Sequence, residues 1–267
     1  MRRYDRREFL AMGGAAAAAL VAACSGGASS RPPTSAASSP AVATGADNGA
    51  VGLRWFGQSM FLLTSPGGTM LALDPFNDIG YTLPPPLNAD LTTITHEHTD
   101  HNNGALGGAD VLRGLTADGW NDVDRTAGDV RLRSVRSYHD DSQGSQRGRN
   151  TIFVYEAGGL RIVHLGDLGH QLDDSHVQAI GGPVDVLMVP VGGVFTIDAA
   201  GATHVVERLQ PKLVFPMHYK TARLKTPLNT ADQFLQGKTV QRIGSTTTRV
   251  ARDALPATAT VMVLDYE

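Results

Sequence analysis

The chain has 267 residues, 42% of them hydrophobic and 18% charged, a composition that supports a real buried core. A formal net charge of −3 without any run of Lys or Arg leaves no electrostatic footprint for nucleic acid, so no nucleic-acid partner is expected. The single cysteine, Cys24, excludes a disulfide framework and a metal site built on thiolates.

The first fifty residues do not read as folded protein. Arg6-Arg7-Glu8-Phe9-Leu10 resembles a twin-arginine export signal, and an Ala-rich apolar stretch from Phe9 to Ala23 follows it, short for a membrane-spanning helix. The stretch ends in Val21-Ala22-Ala23-Cys24, which resembles a bacterial lipoprotein processing box and implies a lipidated Cys24 that holds the mature protein on a membrane. The alternative is an uncleaved anchor or a buried Ala-rich helix. Residues 25–50 are rich in Ser, Ala, Gly, Thr and Pro and lack hydrophobic periodicity. Such a segment cannot offset its ordering entropy and reads as a disordered tether. The expected organisation is a signal peptide over 1–24, a tether over 25–50 and one folded domain over 51–267, exported and anchored to the outer face of the cytoplasmic membrane or cell envelope.

Within the domain, 51–56, 60–64 and 69–73 are expected strands, separated by Gly57-Gln58 and by Pro66-Gly67-Gly68. The β-branched run Leu91-Thr92-Thr93-Ile94-Thr95 is a short buried strand. Residues 103–129 are Gly- and Asp-rich and give no assignable period. Residues 130–138 alternate, and 151–156 with 160–165 form a hairpin around Ala157-Gly158-Gly159. A short helix over 173–180, a buried strand over 184–191, a helix from an Asp198 cap to Leu209, and strands over 212–217 and 260–264 complete the pattern. Strands come first and strand–helix alternation comes late, which implies two sheets with helices packed outside them.

The chemistry is concentrated in His96-Glu97-His98-Thr99-Asp100-His101, directly after the strand over 91–95. Residues two apart on an extended backbone point the same way, so His96 and His98 can bind one ion together. A turn after them redirects Asp100 and His101 towards a second ion. Imidazole nitrogen with carboxylate oxygen suits zinc first, then manganese or iron. Three more candidates fall at C-terminal strand ends, where a sheet fixes the backbone: His139, Asp167 and His218.

His96-x-His98-x-Asp100-His101 followed by His139, Asp167 and His218 resembles the metallo-β-lactamase fold superfamily, over nearly all of residues 51–267. The branch most similar is that of small hydrolases resembling ascorbate-6-phosphate lactonase. Leu165-Gly166-Asp167-Leu168-Gly169-His170, Pro190-Val191-Gly192-Gly193 and Pro216-Met217-His218-Tyr219-Lys220-Thr221 look like a bacterial subgroup of it. The resemblance implies an α/β protein, an αββα sandwich of two mixed β-sheets with helices on the outer faces and the metals at one edge. By position, His96, His98 and His139 would hold the first of two divalent ions. Asp100, His101 and His218 would hold the second, and Asp167 would bridge both. Asp100 and Asp167 would also be catalytic, acting through a metal-activated water on an ester, lactone, amide or phosphoester of a small-molecule substrate. His170 is the further catalytic candidate; its alternative is a satisfied loop residue. Two other functions stay open: a phosphodiesterase or phospholipase-type enzyme, and a non-enzymatic metal-binding surface lipoprotein.

Several neighbours complete the reading. Asp74 resembles the family's strand-end aspartate, which implies that it supports the ligand loop; the alternative is a turn residue before Pro75. Gln58 stands where many relatives of the lactonase-like branch carry His. Glu97 should point away from the metals, and His98, in place of Glu, argues against a redox di-iron site. His164 reads as a core histidine. Lys220, Arg147 and Arg149 are candidate contacts to an anionic substrate, or solvated flanks. Gly192-Gly193 with Phe195 is a candidate pocket lining, or an ordinary turn.

Overall fold

The structure, a computed structural model, describes residues 49–266. The expected signal peptide, Cys24 and the tether up to residue 48 lie outside the described residues.

The first sheet grows from hairpins. Alternation in β1 (Val51–Gly57) turns Val51, Leu53 and Trp55 inward. The strand pairs antiparallel with β2 (Met60–Thr64), which pairs antiparallel with β3 (Met70–Leu73). A long connection then carries the chain to β4 (Leu91–Ile94), parallel to β3. The stretch without an assignable period contains α1 (Gly104–Gly107), β5 (Val111–Arg113) and β6 (Asp124–Ala127). Elements of three or four residues are too short to show a period.

The second sheet opens as a meander. The antiparallel strands are β6, β7 (Val130–Tyr138), β8 (Arg149–Ala157) and β9 (Leu160–His164). Next come α2 (Asp174–Ile180), β10 (Val186–Pro190), α3 (Ala199–Leu209) and β11 (Leu213–Met217), with β9, β10 and β11 mutually parallel. Asp173 and Asp198 cap α2 and α3 through their side chains. After α4 (Asp232–Leu235), β12 (Val240–Arg242) joins the second sheet, β13 (Thr247–Val250) crosses to the first, and β14 (Thr260–Val263) inserts between β11 and β12. The strand orders are β13-β1-β2-β3-β4-β5 and β12-β14-β11-β10-β9-β8-β7-β6, a six-stranded and an eight-stranded mixed sheet.

One apolar cluster joins the two sheets, with Leu53, Trp55, Phe61 and Leu63 from the first and Phe153, Tyr155, Ile162 and Met188 from the second. This is the sandwich expected from the strand pattern, with α3 burying Ala199, Ala202, Val205 and Leu209 into the same cluster. The helical layers are thin, since α1 and α4 have four residues each. Among the described residues no helix is long and apolar enough to cross a membrane. Pairing polarity makes β7, β9, β10 and β11 run the same way, so their C-terminal ends share one edge. Parallel β3 and β4 likewise deliver Asp74 and His96 together.

Candidate metal centre

The structure brings all of the predicted ligands together in two groups. His96, His98 and His139 each offer a donor atom within 4.8 Å of the others, and so do Asp100, His101, Asp167 and His218. In the first group His96 Nε2 lies 3.2 Å from His98 Nδ1, and the His139 ring centre is 4.9 Å from each of their rings. Asp167 stands between the groups. Its Oδ2 is 3.1 Å from His139 Nε2, 3.0 Å from His218 Nε2 and 3.8 Å from His96 Nε2, while its Oδ1 is 3.1 Å from His101 Nε2.

Local structure explains why each residue arrives. Asp167 leaves β9 in a turn fixed by Asn150: its Oδ1 accepts the Asp167 N–H at 3.0 Å, and its Nδ2 donates to Leu165 C=O at 2.9 Å and Ser137 Oγ at 2.8 Å. Gly169 then lies so close to His139 that a Cβ would collide with the His139 carbonyl. The Gly169 N–H donates to Tyr138 C=O at 3.0 Å, stitching the two ligand turns together. Asn150 escaped the sequence reading. Its signal was a buried amide at the head of the apolar run Ile152-Phe153-Val154-Tyr155.

Asp74 has a supporting role that reaches both groups. It is fully buried, sits at φ +44°, and accepts the Thr95 N–H at 2.7 Å and the Thr95 Oγ1–H at 2.6 Å. It also accepts the His101 Nδ1–H at 2.8 Å, which in the neutral ring leaves the lone pair on His101 Nε2. Thr95 Oγ1 has one hydrogen and gives it to Asp74, so at 3.0 Å it accepts from His96 Nδ1–H, which leaves His96 Nε2 as a lone pair too. One carboxylate thus sets the tautomers of a ligand in each group.

Gln58 is not an idle replacement for His. It is fully buried, its Nε2 donates to Asp100 Oδ2 at 2.8 Å, and its backbone C=O accepts the His218 N–H at 3.0 Å. The amide orients one carboxylate and the backbone ties down one imidazole of the second group.

Asp140, next to His139, is a second residue that the sequence reading passed over. Its carboxylate accepts backbone N–H groups from Ser142 and Gly144 at 2.8 Å each, Gln146 at 3.0 Å and Arg147 at 2.7 Å. Burial works against the charged form, but these N–H groups outweigh it and hold the carboxyl below the usual range. Asp140→Ala should lower folding stability by about 1–3 kcal/mol at neutral pH, as orphaned N–H groups cost. A lowered folded-state pKa means the contribution is whole above about pH 3.9 and fades as pH falls through the lower folded value. Urea unfolding of both proteins from pH 7 to pH 3 checks this; equal midpoints at pH 7 would refute it.

The remaining candidates sort by their contacts. His170, expected to be catalytic, has both ring nitrogens committed to backbone: Nε2 accepts the Tyr138 N–H at 3.2 Å, and Nδ1–H donates to Gln171 C=O at 2.8 Å. It ties two loops and has no ring atom left for substrate. Lys220 donates to the carbonyls of Leu224 and Thr226, closing its own loop. Arg149 lies over the Trp120 ring, 5.1 Å from its centre. Glu97 is exposed and pairs with Arg113 at 2.5 Å, away from the ligands as expected. His164 is buried, donating from Nε2 to Ser59 C=O and accepting the Gly166 N–H at Nδ1, as a core histidine does.

The electrostatics test whether cations fit. Burial holds His96 and His98 below the usual imidazole range, helped by His101 and His139 respectively, so both are unprotonated donors. Burial also opposes charge on His101 and His218. There the Asp167 carboxylate outweighs it, together with Asp100, raising His101 well above the usual range and His218 to about 9. Asp100 and Asp167 are themselves held well below the carboxylate range; burial opposes this, but His101 overrides it, joined by His218. Without cations, protons on His101 and His218 balance the two carboxylates. Yet His101 Nε2 and Asp167 Oδ1, 3.1 Å apart, are both buried without hydrogen-bond geometry, so a proton on that nitrogen is poorly placed for the carboxylate and its loss leaves two lone pairs facing one space. A divalent cation satisfies both, and the nitrogen-and-oxygen donor set suits zinc.

Comparisons with known proteins agree with this geometry. The Beta-lactamase superfamily domain matches residues 52–218. A "UPF0173 metal-dependent hydrolase" of Thermococcus onnurineus is 31% identical over 193 residues, covering 64% of this chain and 85% of the relative. One from Anaeromyxobacter sp. is 30% identical over 211 residues, covering 66% and 77%. A crystal structure from Thermotoga maritima, assigned as a Zn-dependent hydrolase of the metallo-β-lactamase superfamily, is 32% identical with a TM-score of 0.64, covering 80% of this chain and 100% of that one.

Proposed function

The chain belongs to the β-lactamase superfamily, and from that premise we propose a hydrolase that uses two divalent cations, zinc first with manganese or iron as alternatives, on an ester, lactone, amide or phosphoester of a small molecule. Metal-dependent hydrolysis is the activity named for its relatives, and the His/Asp groups are of the kind that holds such metals. The observation that carries the two-cation reading is Asp167, with one carboxylate oxygen facing the first group and His218 and the other facing His101. The branch resembling ascorbate-6-phosphate lactonase favours carboxylic esters and lactones within that substrate range.

When bound, such cations lower the pKa of water from about 15.7 towards about 7 and polarise the carbonyl or phosphoryl oxygen under attack. The protein's part is to present donors and exclude water. His96 and His101 present Nε2 lone pairs because Asp74 and Thr95 retain their Nδ1 protons. Asp100 and Asp167 are held well below the carboxylate range, which suits permanently charged ligands and not proton shuttles. Asp167 is 2% exposed and Asp100 24%, and His98 is exposed, so substrate enters over His98 and Asp100 towards a dry floor. Metal-loaded protein should hydrolyse p-nitrophenyl esters or bis(p-nitrophenyl) phosphate, lose turnover on chelation and regain it with zinc. Turnover that survives complete chelation overturns the reading.

We also propose that the domain works outside the cytoplasm, held to the membrane by lipidated Cys24. The support is the sequence alone, Arg6-Arg7-Glu8-Phe9-Leu10 and Val21-Ala22-Ala23-Cys24. Cys24→Ser should block processing and release the protein from the membrane fraction; unchanged processing and fractionation would reject the anchor.

A further inference from the structure

Leu83, Val194 and Phe195 are the large hydrophobic residues left exposed among those described, and two of them are neighbours in the loop after β10. Val194 is 53% exposed and Phe195 36%. Val194 also sits at φ +63°, in the left-handed region where a β-branched residue is a real outlier. Strain of this kind persists where surrounding structure imposes it, and it clusters at ligand clamps.

Val194 is the central residue of a tight turn closed by the Phe195 N–H to Gly193 C=O at 2.7 Å, and the Asn229 N–H holds Gly192 C=O at 2.9 Å; three further contacts come from ligand-bearing turns. The Gly192 N–H donates to His218 C=O at 3.1 Å, so closely that a Cβ on Gly192 would collide with that carbonyl. The Ile197 N–H donates to the C=O of Leu168, the residue after Asp167, at 2.9 Å. Arg147, on the loop that Asp140 organises after His139, donates from Nη2 to Val194 C=O at 3.1 Å, with its guanidinium 5.7 Å from the Phe195 ring centre. The turns of His139, Asp167 and His218 therefore converge on one strained loop, and what that loop presents outward is apolar.

We propose that Val194 and Phe195 seat the apolar arm of the substrate, an acyl chain of several carbons or an aryl group, while the reacting carbonyl lies at the metal centre. Arg147 is a positioning residue that holds the seat through the Val194 carbonyl. The occupant is a small molecule, because two side chains offer far less area than a protein interface requires and the loop is continuous with the centre. The inference rests on the hydrolase reading above and names its substrate class.

The test uses the zinc-loaded full chain with p-nitrophenyl hexanoate and acetate. Wild type should favour hexanoate in kcat/KM. Val194→Gly and Phe195→Ser should each cut that preference about tenfold, mainly through KM, as the loss of one to two methylene contacts would. Val194→Gly also relieves the left-handed strain, so its Tm should match or exceed wild type. A purely structural loop residue would do the reverse, lowering Tm while selectivity stayed. A wild type without preference, or a preference that both variants retain, overturns the seat. If wild type cleaves neither ester, the ester-hydrolase reading fails, and the seat is judged separately by calorimetric binding of hexanoate against acetate. Tighter hexanoate binding that both variants lose sustains it; equal binding overturns it.

Discussion

Asp167→Asn should lower kcat of the metal-loaded protein by about a thousandfold or more and reduce bound metal. The replacement is isosteric, and the Asn150 contact to the residue 167 N–H is a backbone bond that survives it. What changes is charge and donor character at the point where both ligand groups meet. An amide has one acceptor oxygen, so either the pair His139 and His218 or His101 would face an NH2 group in place of a carboxylate oxygen. An N–H pointing at a lone pair that should hold a cation excludes that cation. Losing a single preorganised group already costs about 10²–10³ in kcat at other centres, and Asp167 serves both halves of this one. Metal analysis beside steady-state kinetics separates loss of cation from loss of chemistry. Wild-type kcat in the variant would sink the assignment.

The grouping of the candidate ligands was legible because its geometry is local. His96 and His98 share a face through the period of an extended chain, and His139, Asp167 and His218 each follow a recognisable strand, so the sheet does the rest. The sandwich was legible for the same reason, through β1 to β3 and the fully buried β10 and β11. Roles that depend on contact through space were not. Gln58 reaches Asp100 across 42 residues, and no period links them. Asn150 and Asp140 organise ligand turns through hydrogen bonds largely to backbone groups, whose partners residue type alone does not locate. His170 misled for the opposite reason. It stands three residues past Asp167, but its ring folds back onto Tyr138 and Gln171.

Asp74 separates support of the fold from support of the chemistry, and two substitutions there should behave differently. Asp74→Ala removes the buried acceptor of three hydrogen bonds and puts Ala at φ +44°. A cost of about 3–5 kcal/mol in stability is expected. Asp74→Asn retains a side chain that tolerates the left-handed conformation and one oxygen to accept the Thr95 N–H. Its NH2 must then take the Oδ2 position, where it donates to His101 Nδ1 and forces the ring proton onto Nε2, the atom aimed at the second group. It also stops accepting the Thr95 hydroxyl, and the relay that fixes His96 is lost. Replacing an orienting Asp by Asn elsewhere leaves geometry intact and sets the wrong tautomer. Zinc affinity should therefore fall by about 10–100-fold in Asp74→Asn with a far smaller loss of stability than in Asp74→Ala. Zinc titration against a competing chelator, paired with urea unfolding of the metal-free proteins, distinguishes the two effects. His139 in the first group and His218 in the second have buried Nδ1 atoms without hydrogen-bond partners among the described residues, so packing and not a relay to Nδ1 orients their rings. Asp74→Asn binding zinc as tightly as wild type would mean that packing alone orients His101 too.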